Sequence, residues 1–316
     1  MATRTLDSSP SILPLYARAA APLIPGASRL PFVPGRGKDV PDLELSLADV
    51  RPDPDAVAAY SHVCGFTLRD QLPPTYPHVL AFPLHMAVMA DGSFPFGAVG
   101  LVHVENRLVQ HRPIELGEEL KLVVRPTALQ PHKRGKTFSL VTEAWIANEM
   151  AWQSTSTMLR RQKPADGTKT RLYGGKSAHR PEGAGLTASA EWRLGGDLGR
   201  RYAAVSGDRN PIHMHSLTAK PLGFSSAIAH GMWTKARCLA ALEGRLPDVF
   251  AAEVRFRKPI RLPGKVEFLS DADNEEIHFA VRDAKRHTPH LDGGIAPIEA
   301  KKRPATANKT SGRTST

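Results

Sequence analysis

Cysteine is nearly absent from this chain: 316 residues hold two, Cys64 and Cys238, far apart and without C-x-x-C spacing. Neither a disulfide framework nor a cysteine-ligated zinc site is indicated, and a reducing, cytoplasmic compartment fits. A long apolar run is also missing. The longest charge-free stretch, residues 71–90, contains Pro73, Pro74, Pro77 and Pro83 with His78 and His85, which excludes a membrane span. Acidic residues are scarce in two places. Residues 159–180 carry seven basic side chains against Asp166 alone, and residues 301–316 carry five with no acid. These stretches account for the whole net charge of +11, leaving 30 basic and 30 acidic residues elsewhere. A nucleic-acid binder needs its charge on a folded face, so that reading is disfavoured and no nucleic-acid partner is expected.

The whole sequence is 41% hydrophobic and long enough for about two domains. Six prolines between Pro10 and Pro34 argue against an amphipathic targeting helix, and residues 1–37 read as an extended arm lying on the first domain. Residues 38–162 form a first unit with strand-like alternation at Leu120, Leu122 and Val124, a β-branched stretch from Thr137 to Ile146, and an apolar run from Val99 to Val104. Leu80, Leu84, Val88 and Met89 mark its one helix. Residues 163–185 have the Gly and Pro content of a linker. Residues 186–300 form the second unit, with strands at Phe250–Phe256, Val266–Phe268 and Ile277–Val281 and a helix from about Met232 to Leu242, ended by Gly244. Residues 301–316 read as a disordered basic tail. The turn Arg112-Pro113-Ile114 recurs as Lys258-Pro259-Ile260, 146 residues later, which suggests a duplicated domain.

Chemistry is densest between Tyr202 and Trp233. Ser206-Gly207-Asp208 and Asn210-Pro211 are turn formers, and His213 follows the acid by five residues, so one loop can present a carboxylate and an imidazole together. Downstream, Ala229-His230-Gly231-Met232 opens the predicted helix. A glycine there lets a carbonyl oxygen approach unpaired backbone N–H groups, the arrangement that stabilises an enolate-like oxyanion. Acid/base groups beside an oxyanion donor are what removal of a proton α to a carbonyl requires. Taken singly, each motif has an ordinary reading: an Asx turn, a helix start, core positions for Met232 and Trp233. Three histidines with Asp208 could ligate zinc, but no metal-binding spacing supports it. The combination carries the argument.

The run from Tyr202 to His213, with the Gly-Asp-x-Asn-Pro-x-His core at 207–213 and then Ala229-His230-Gly231-Met232, resembles the signature of the MaoC-like (R)-specific enoyl hydratase and 3-hydroxyacyl-thioester dehydratase family. Residues 186–297 are covered well, and the first half resembles the degenerate half of two-domain members. The resemblance implies an α+β double hotdog, in which each unit wraps a long helix in a curved antiparallel sheet and the two form an internal pseudo-dimer, with a homodimer of chains as a further option. It implies catalysis by Asp208 and His213 with Gly231 as backbone donor. Asn210, Ser206, Gly207, His230 and Met232 would line the substrate site, and Asn210 would hold the loop. No metal or other cofactor is implied. The partner is an acyl-CoA or acyl-carrier-protein thioester in fatty-acid metabolism, undergoing reversible syn loss or addition of water.

Where some members carry a helix serine, this chain has Arg237, Cys238 and Leu239. The first half has no copy of the core motif, so one active site per chain is expected. A half freed from catalysis can shorten its helix and make room for a longer acyl chain, with Leu80, Phe82, Leu84, Val88 and Phe94 as candidate walls. The basic residues Arg160, Arg161 and Lys163 could attract a phosphorylated carrier at the tunnel mouth. Rival readings are an acyl-CoA thioesterase on the same scaffold and a non-catalytic acyl-thioester-binding protein.

Overall fold

The computed structural model describes residues 2–24, 33–35, 37–161, 185–271 and 276–299. The expected tail and all of the expected linker except Gly185 lie outside the described residues. In chain order the elements are β1 (Ala2–Leu6), α1 (Ile12–Ala20), β2 (Leu43–Val50), α2 (Pro54–Cys64), α3 (Tyr76–Met89), β3 (Val102–Gln110), β4 (Leu120–Pro126), β5 (Gln130–His132), β6 (Gly135–Ile146) and β7 (Glu149–Arg161). The second half continues with β8 (Thr187–Leu194), α4 (Leu198–Ser206), α5 (Pro211–Met214), α6 (Ser216–Ala219), α7 (Gly231–Ala241), β9 (Phe250–Phe256), β10 (Gly264–Ser270), β11 (Ile277–Asp283) and β12 (Pro289–Pro297). No helix among the described residues is long and apolar enough to cross a membrane.

The strands form one sheet in the order β1-β2-β4-β6-β7-β3-β9-β12-β11-β10-β8, with β5 attached to β6. Read outward from the β3–β9 seam, both halves give the same succession, so β2 corresponds to β8, β4 to β10, β6 to β11 and β7 to β12. At the seam Arg107 pairs with Glu253, and these two are separated by the same 146 residues as the repeated turn. A residue paired with its own repeat marks a pseudo-twofold axis. The chain is therefore two hotdog units joined edge to edge. Across the axis, Arg107 Nε and Glu253 Oε1 lie 2.7 Å apart.

Each unit buries its central helix on most sides, which requires a sequence apolar around the whole circumference rather than along one stripe. In α3, Tyr76, Ala81, Phe82, Leu84, Met86, Val88 and Met89 are all buried. In α7, Met232, Trp233, Ala236, Cys238 and Leu239 are buried. Pro77 falls in the first turn of α3, where its missing N–H has no intrahelical partner to lose.

Several expectations change. The first unit has two helices, not one: Asp53 caps α2 by accepting from the Asp55 N–H, Pro54 opens it, and Gly65 ends it at a φ of +83°. The apolar run from Val99 is strand only from Val102, because Gly100, at a φ of +86°, turns the chain first. The first unit has not shortened its helix, since α3 has 14 residues and α7 has 11. The helix α7 ends at Ala241, and Gly244 lies in a following turn of 3-10 helix. The N-terminal segment is not an extended arm: β1 adds to the sheet parallel to β2, and α1 follows. Pro14 is tolerated in α1 because it sits in the first turn. Of the proposed cavity walls, Leu84, Val88 and Phe94 have no exposure and belong to the core.

Candidate active site

Asp208 stands just beyond the C-terminus of α4. Gly207 takes the left-handed conformation that ends this helix, at a φ of +74°, and so turns the chain toward the cavity. The Asp208 N–H then donates to Ser206 Oγ at 3.2 Å, and the Asn210 N–H donates back to Asp208 Oδ1 at 3.1 Å. Asn210 caps α5, whose first residue is Pro211, and this short turn of helix carries His213. The loop of the sequence expectation is thus two helix ends joined by a tight turn. His215 points elsewhere: it is exposed and caps α6.

His213 and His230 are buried with their rings stacked, 3.7 Å between centroids and 24° between planes. His213 Nδ1 lies 2.8 Å from the Ile228 carbonyl oxygen. A carbonyl only accepts, so Nδ1 carries the proton and Nε2 keeps its lone pair. By the same reasoning His230 donates from Nε2 to the Asp208 backbone carbonyl at 2.9 Å, and its Nδ1 has no partner among the described residues. One side-chain ligand atom from each of Asp208, His213 and His230 falls within 4.8 Å of the others. Such a set could chelate a cation, but a cation would occupy the lone pairs that proton transfer needs.

The electrostatics fix the resting protonation. Burial pushes the Asp208 carboxyl up, but His230, His213, the Asn210 N–H and a hydroxyl from Tyr16 outweigh it, so the net shift is downward. Burial lowers His213 despite the opposing pull of Asp208 and the Ile228 carbonyl. His230 is brought down to about 3 by burial and by the neighbouring His213. At neutral pH the site holds a carboxylate and two neutral imidazoles.

Gly231 is the first residue of α7, where the leading N–H groups have no acceptor within the helix. A Cβ here would stand 3.1 Å from the Phe256 ring, a contact tight enough that the ring would have to shift by a few tenths of an ångström. The Thr234 N–H and Oγ1 both donate to the His230 carbonyl at 3.1 Å, which fixes the first turn. Ser206, Asp208, Asn210, His213, His230, Gly231 and Met232 all line one cleft, which also receives Phe82, Leu101, Leu140 and Met158 from the first unit. Of the eight residues expected at the site itself, Gly207 alone is not in its wall; it acts by turning the chain. Cys238 is a buried thiol and lies outside this wall.

A MaoC like domain model matches residues 183–292. A Mycobacterium tuberculosis protein named 3-hydroxyacyl-thioester dehydratase X is 35% identical over 288 residues, covering 91% of this chain and 99% of the relative. The chain belongs to the MaoC-like dehydratase family. A crystal structure of that mycobacterial relative superimposes with a TM-score of 0.71 at 34% identity, over 81% of this chain and all of the other. A second Mycobacterium tuberculosis protein, described as having a double hotdog fold, matches with a TM-score of 0.53 at 14% identity over 83% of this chain and 96% of that one, a likeness of fold.

In this MaoC-like chain the domain match lies over the second hotdog unit, and several cavity residues come from outside it. His78 and His103, on α3 and β3, face the cleft from the first unit. Burial holds His78 at about 4 and His103 at about 3. Arg134, Arg161, Arg257 and Lys258 bring positive charge to the same wall. Of the basic trio expected at the mouth, Arg161 is there, stacked 5.3 Å from the Phe224 ring centroid; Arg160 is held over Phe96 and donates to the Val99 carbonyl; Lys163 lies outside the described residues. The repeated basic-Pro-Ile turn has a second meaning, since Lys258, Pro259 and Ile260 line the cleft. Tyr16 was missed. Its spacing with Ile12 and Ala19 is that of one helix face, a signal masked by Pro14.

Proposed function

We propose that this chain is a 3-hydroxyacyl-thioester dehydratase, running in reverse as an (R)-specific enoyl-thioester hydratase, with Asp208 and His213 as its proton-handling pair. The supporting observation is a neutral His213, its proton held on Nδ1 by Ile228 and its Nε2 lone pair left free, that shares one cluster with Asp208 beside the Gly231 helix start. Neutral imidazole is a base, not an acid, so dehydration begins with transfer of the α-proton to Nε2. Charge passing to the thioester oxygen is met by the N–H groups at the start of α7, Gly231 foremost. The carbon–oxygen bond at the β-position then breaks, and the imidazolium returns its proton to the departing hydroxyl as water. One group moving one proton on one face gives syn elimination. Asp208 stays ionised, orients the hydroxyl or incoming water, and stabilises the imidazolium.

The substrate is an acyl chain carried on a phosphorylated pantetheine, either CoA or acyl-carrier protein. Apolar Phe82, Leu101, Leu140 and Met158 suit the chain, and Arg161 and Lys258 at the exposed edge suit the carrier's negative charge. Hydration of crotonyl-CoA and longer enoyl-CoAs, followed by loss of enoyl-thioester absorbance, tests this reading. Asp208→Asn and His213→Ala should each lower kcat by about 100-fold or more with unchanged circular dichroism. Full activity in both variants would overturn the mechanism, and release of free thiol from a saturated acyl-CoA would point to hydrolysis instead.

A further inference from the structure

The N-terminal segment reaches the catalytic turn of the other hotdog unit. The Tyr16 hydroxyl donates to Asp208 Oδ1 at 2.9 Å and accepts the Arg209 backbone N–H at 2.7 Å. With its oxygen held by that N–H, the phenol can direct its single proton only toward the carboxylate. The Asn210 N–H reaches the same oxygen at 3.1 Å. Oδ1 therefore has two donors, whereas Oδ2 is 3.8 Å from His230 Nε2, beyond hydrogen-bond range. No hydrogen bond is made to Oδ2 among the described residues, and Asp208 lines the cleft.

The packing around this contact fixes it in place. On the same face of α1, one turn before Tyr16, Ile12 lies against the catalytic turn: a Cβ on Gly207 would meet Ile12 Cδ1 at 2.6 Å. One turn after it, buried Ala19 puts its carbonyl against Gly97. The segment before α1 is anchored as β1, paired with β2 from Ala2 to Leu6. A strand at one end and a helix face at the other hold Tyr16 across the boundary between the units.

We infer that Tyr16 is a positioning residue for the Asp208 carboxylate, fixing Oδ1 and reserving Oδ2 for water or the substrate hydroxyl, so that the N-terminal segment completes the active site of the second unit. This rests on the reading of Asp208 as part of the proton-handling pair. Two donors on one oxygen also favour the ionised form, in which Asp208 accepts hydrogen bonds from water or hydroxyl.

Tyr16→Phe removes the hydroxyl and keeps the ring. The expected result is a kcat about 10- to 100-fold lower, a KM changed by less than about 2-fold, and an acidic limb of the kcat–pH profile displaced to higher pH. A packing role alone would move none of these in that way. Leu13→Ala, on the exposed face of α1, should leave all three unchanged. Replacing Tyr16 by 3-fluorotyrosine, whose phenol is more acidic and a stronger donor, should move the acidic limb the opposite way and keeps the assignment testable if the phenylalanine variant folds poorly. Wild-type kcat with an unshifted acidic limb in Tyr16→Phe, in a chain where Asp208→Asn is inactive, would overturn the tyrosine's role alone. An active Asp208→Asn would overturn the underlying reading.

Discussion

Lys235 Nζ lies 2.5 Å from Asn106 Oδ1, with no solvent exposure, beneath the seam that joins the two hotdog units. Lys235 belongs to α7 of the second unit and Asn106 to β3 of the first. Lys235 also donates to the Ala252 carbonyl at 2.9 Å, and Asn106 Nδ2 donates to Ser154 Oγ and Ser156 Oγ at 2.9 and 3.0 Å. One polar chain thus ties α7, β3, β7 and β9 together at the pseudo-twofold axis. Burial drives the Lys235 pKa strongly down, so the group depends on these acceptors whenever it is charged.

Asn106→Leu should therefore cost roughly 1–3 kcal/mol in urea unfolding, because it strands a buried donor group. The double variant Asn106→Leu with Lys235→Met removes both partners and should recover much of that loss. A double-mutant cycle with no coupling between the two positions would show that the seam is held by its strand ladder alone.

The Phe256 ring would lie in tight contact, at 3.1 Å, with a Cβ added at position 231. Gly231→Ala should lower kcat/KM by about 100-fold, since the added methyl pushes against the ring and crowds the backbone donors. Adding Phe256→Leu to Gly231→Ala gives that methyl room and should restore a measurable part of the activity. Steady-state hydration kinetics on the single and double variants distinguish crowding from a simple loss of folded protein.

Much of this site was legible because its parts are local. Gly207, Asp208, Asn210 and His213 lie within one turn, and turn chemistry can be read from adjacent residues. The same holds for Gly231, which stands at a helix start beside an aromatic ring. Helix α3 was placed with late bounds because its prolines, which usually mark breaks, fall where the fold tolerates them. Strand β7, paired on both sides, carries the unbroken run Ser154-Thr155-Ser156-Thr157, which gives no apolar alternation to read in the sequence. Tyr16 and His103 were beyond reach for a different reason. Their roles come from contacts across some 190 and 150 residues, with Asp208 and with Phe256, which no local pattern encodes.

Histidines make the fold sensitive to mild acid. His78 is held at about 4, and His103 and His230 at about 3, against 6.5 for the free side chain, with burial as the main cause in each. Below pH 6.5 the unfolded chain binds protons that the folded chain refuses, so stability falls as the pH falls, down to about pH 3 to 4 where the folded state begins to take them. Between pH 7.5 and pH 5 the loss should reach several kcal/mol, at roughly 2 kcal/mol for each such histidine. Urea midpoints across that range measure it, and a flat profile would mean that these imidazoles titrate normally in the fold.

Positive charge at the edge of the cleft should act on binding, not on chemistry. Arg161 and Lys258 are exposed and line the wall of the cleft that also receives the proposed acid/base pair. Exposed charges steer a charged ligand over about a Debye length, close to 10 Å at 0.1 M salt, and their influence fades as salt rises. Arg161→Ala with Lys258→Ala should raise KM for an enoyl-CoA by about 10-fold at low ionic strength and leave kcat within about 2-fold. The gap between variant and wild type should narrow as salt is added. With an enoyl-pantetheine that lacks the nucleotide, the two proteins should differ little. An equal KM at every salt concentration would instead place the carrier's phosphates elsewhere on the surface, and a fall in kcat would mean that one of these side chains also shapes the reacting end of the cleft.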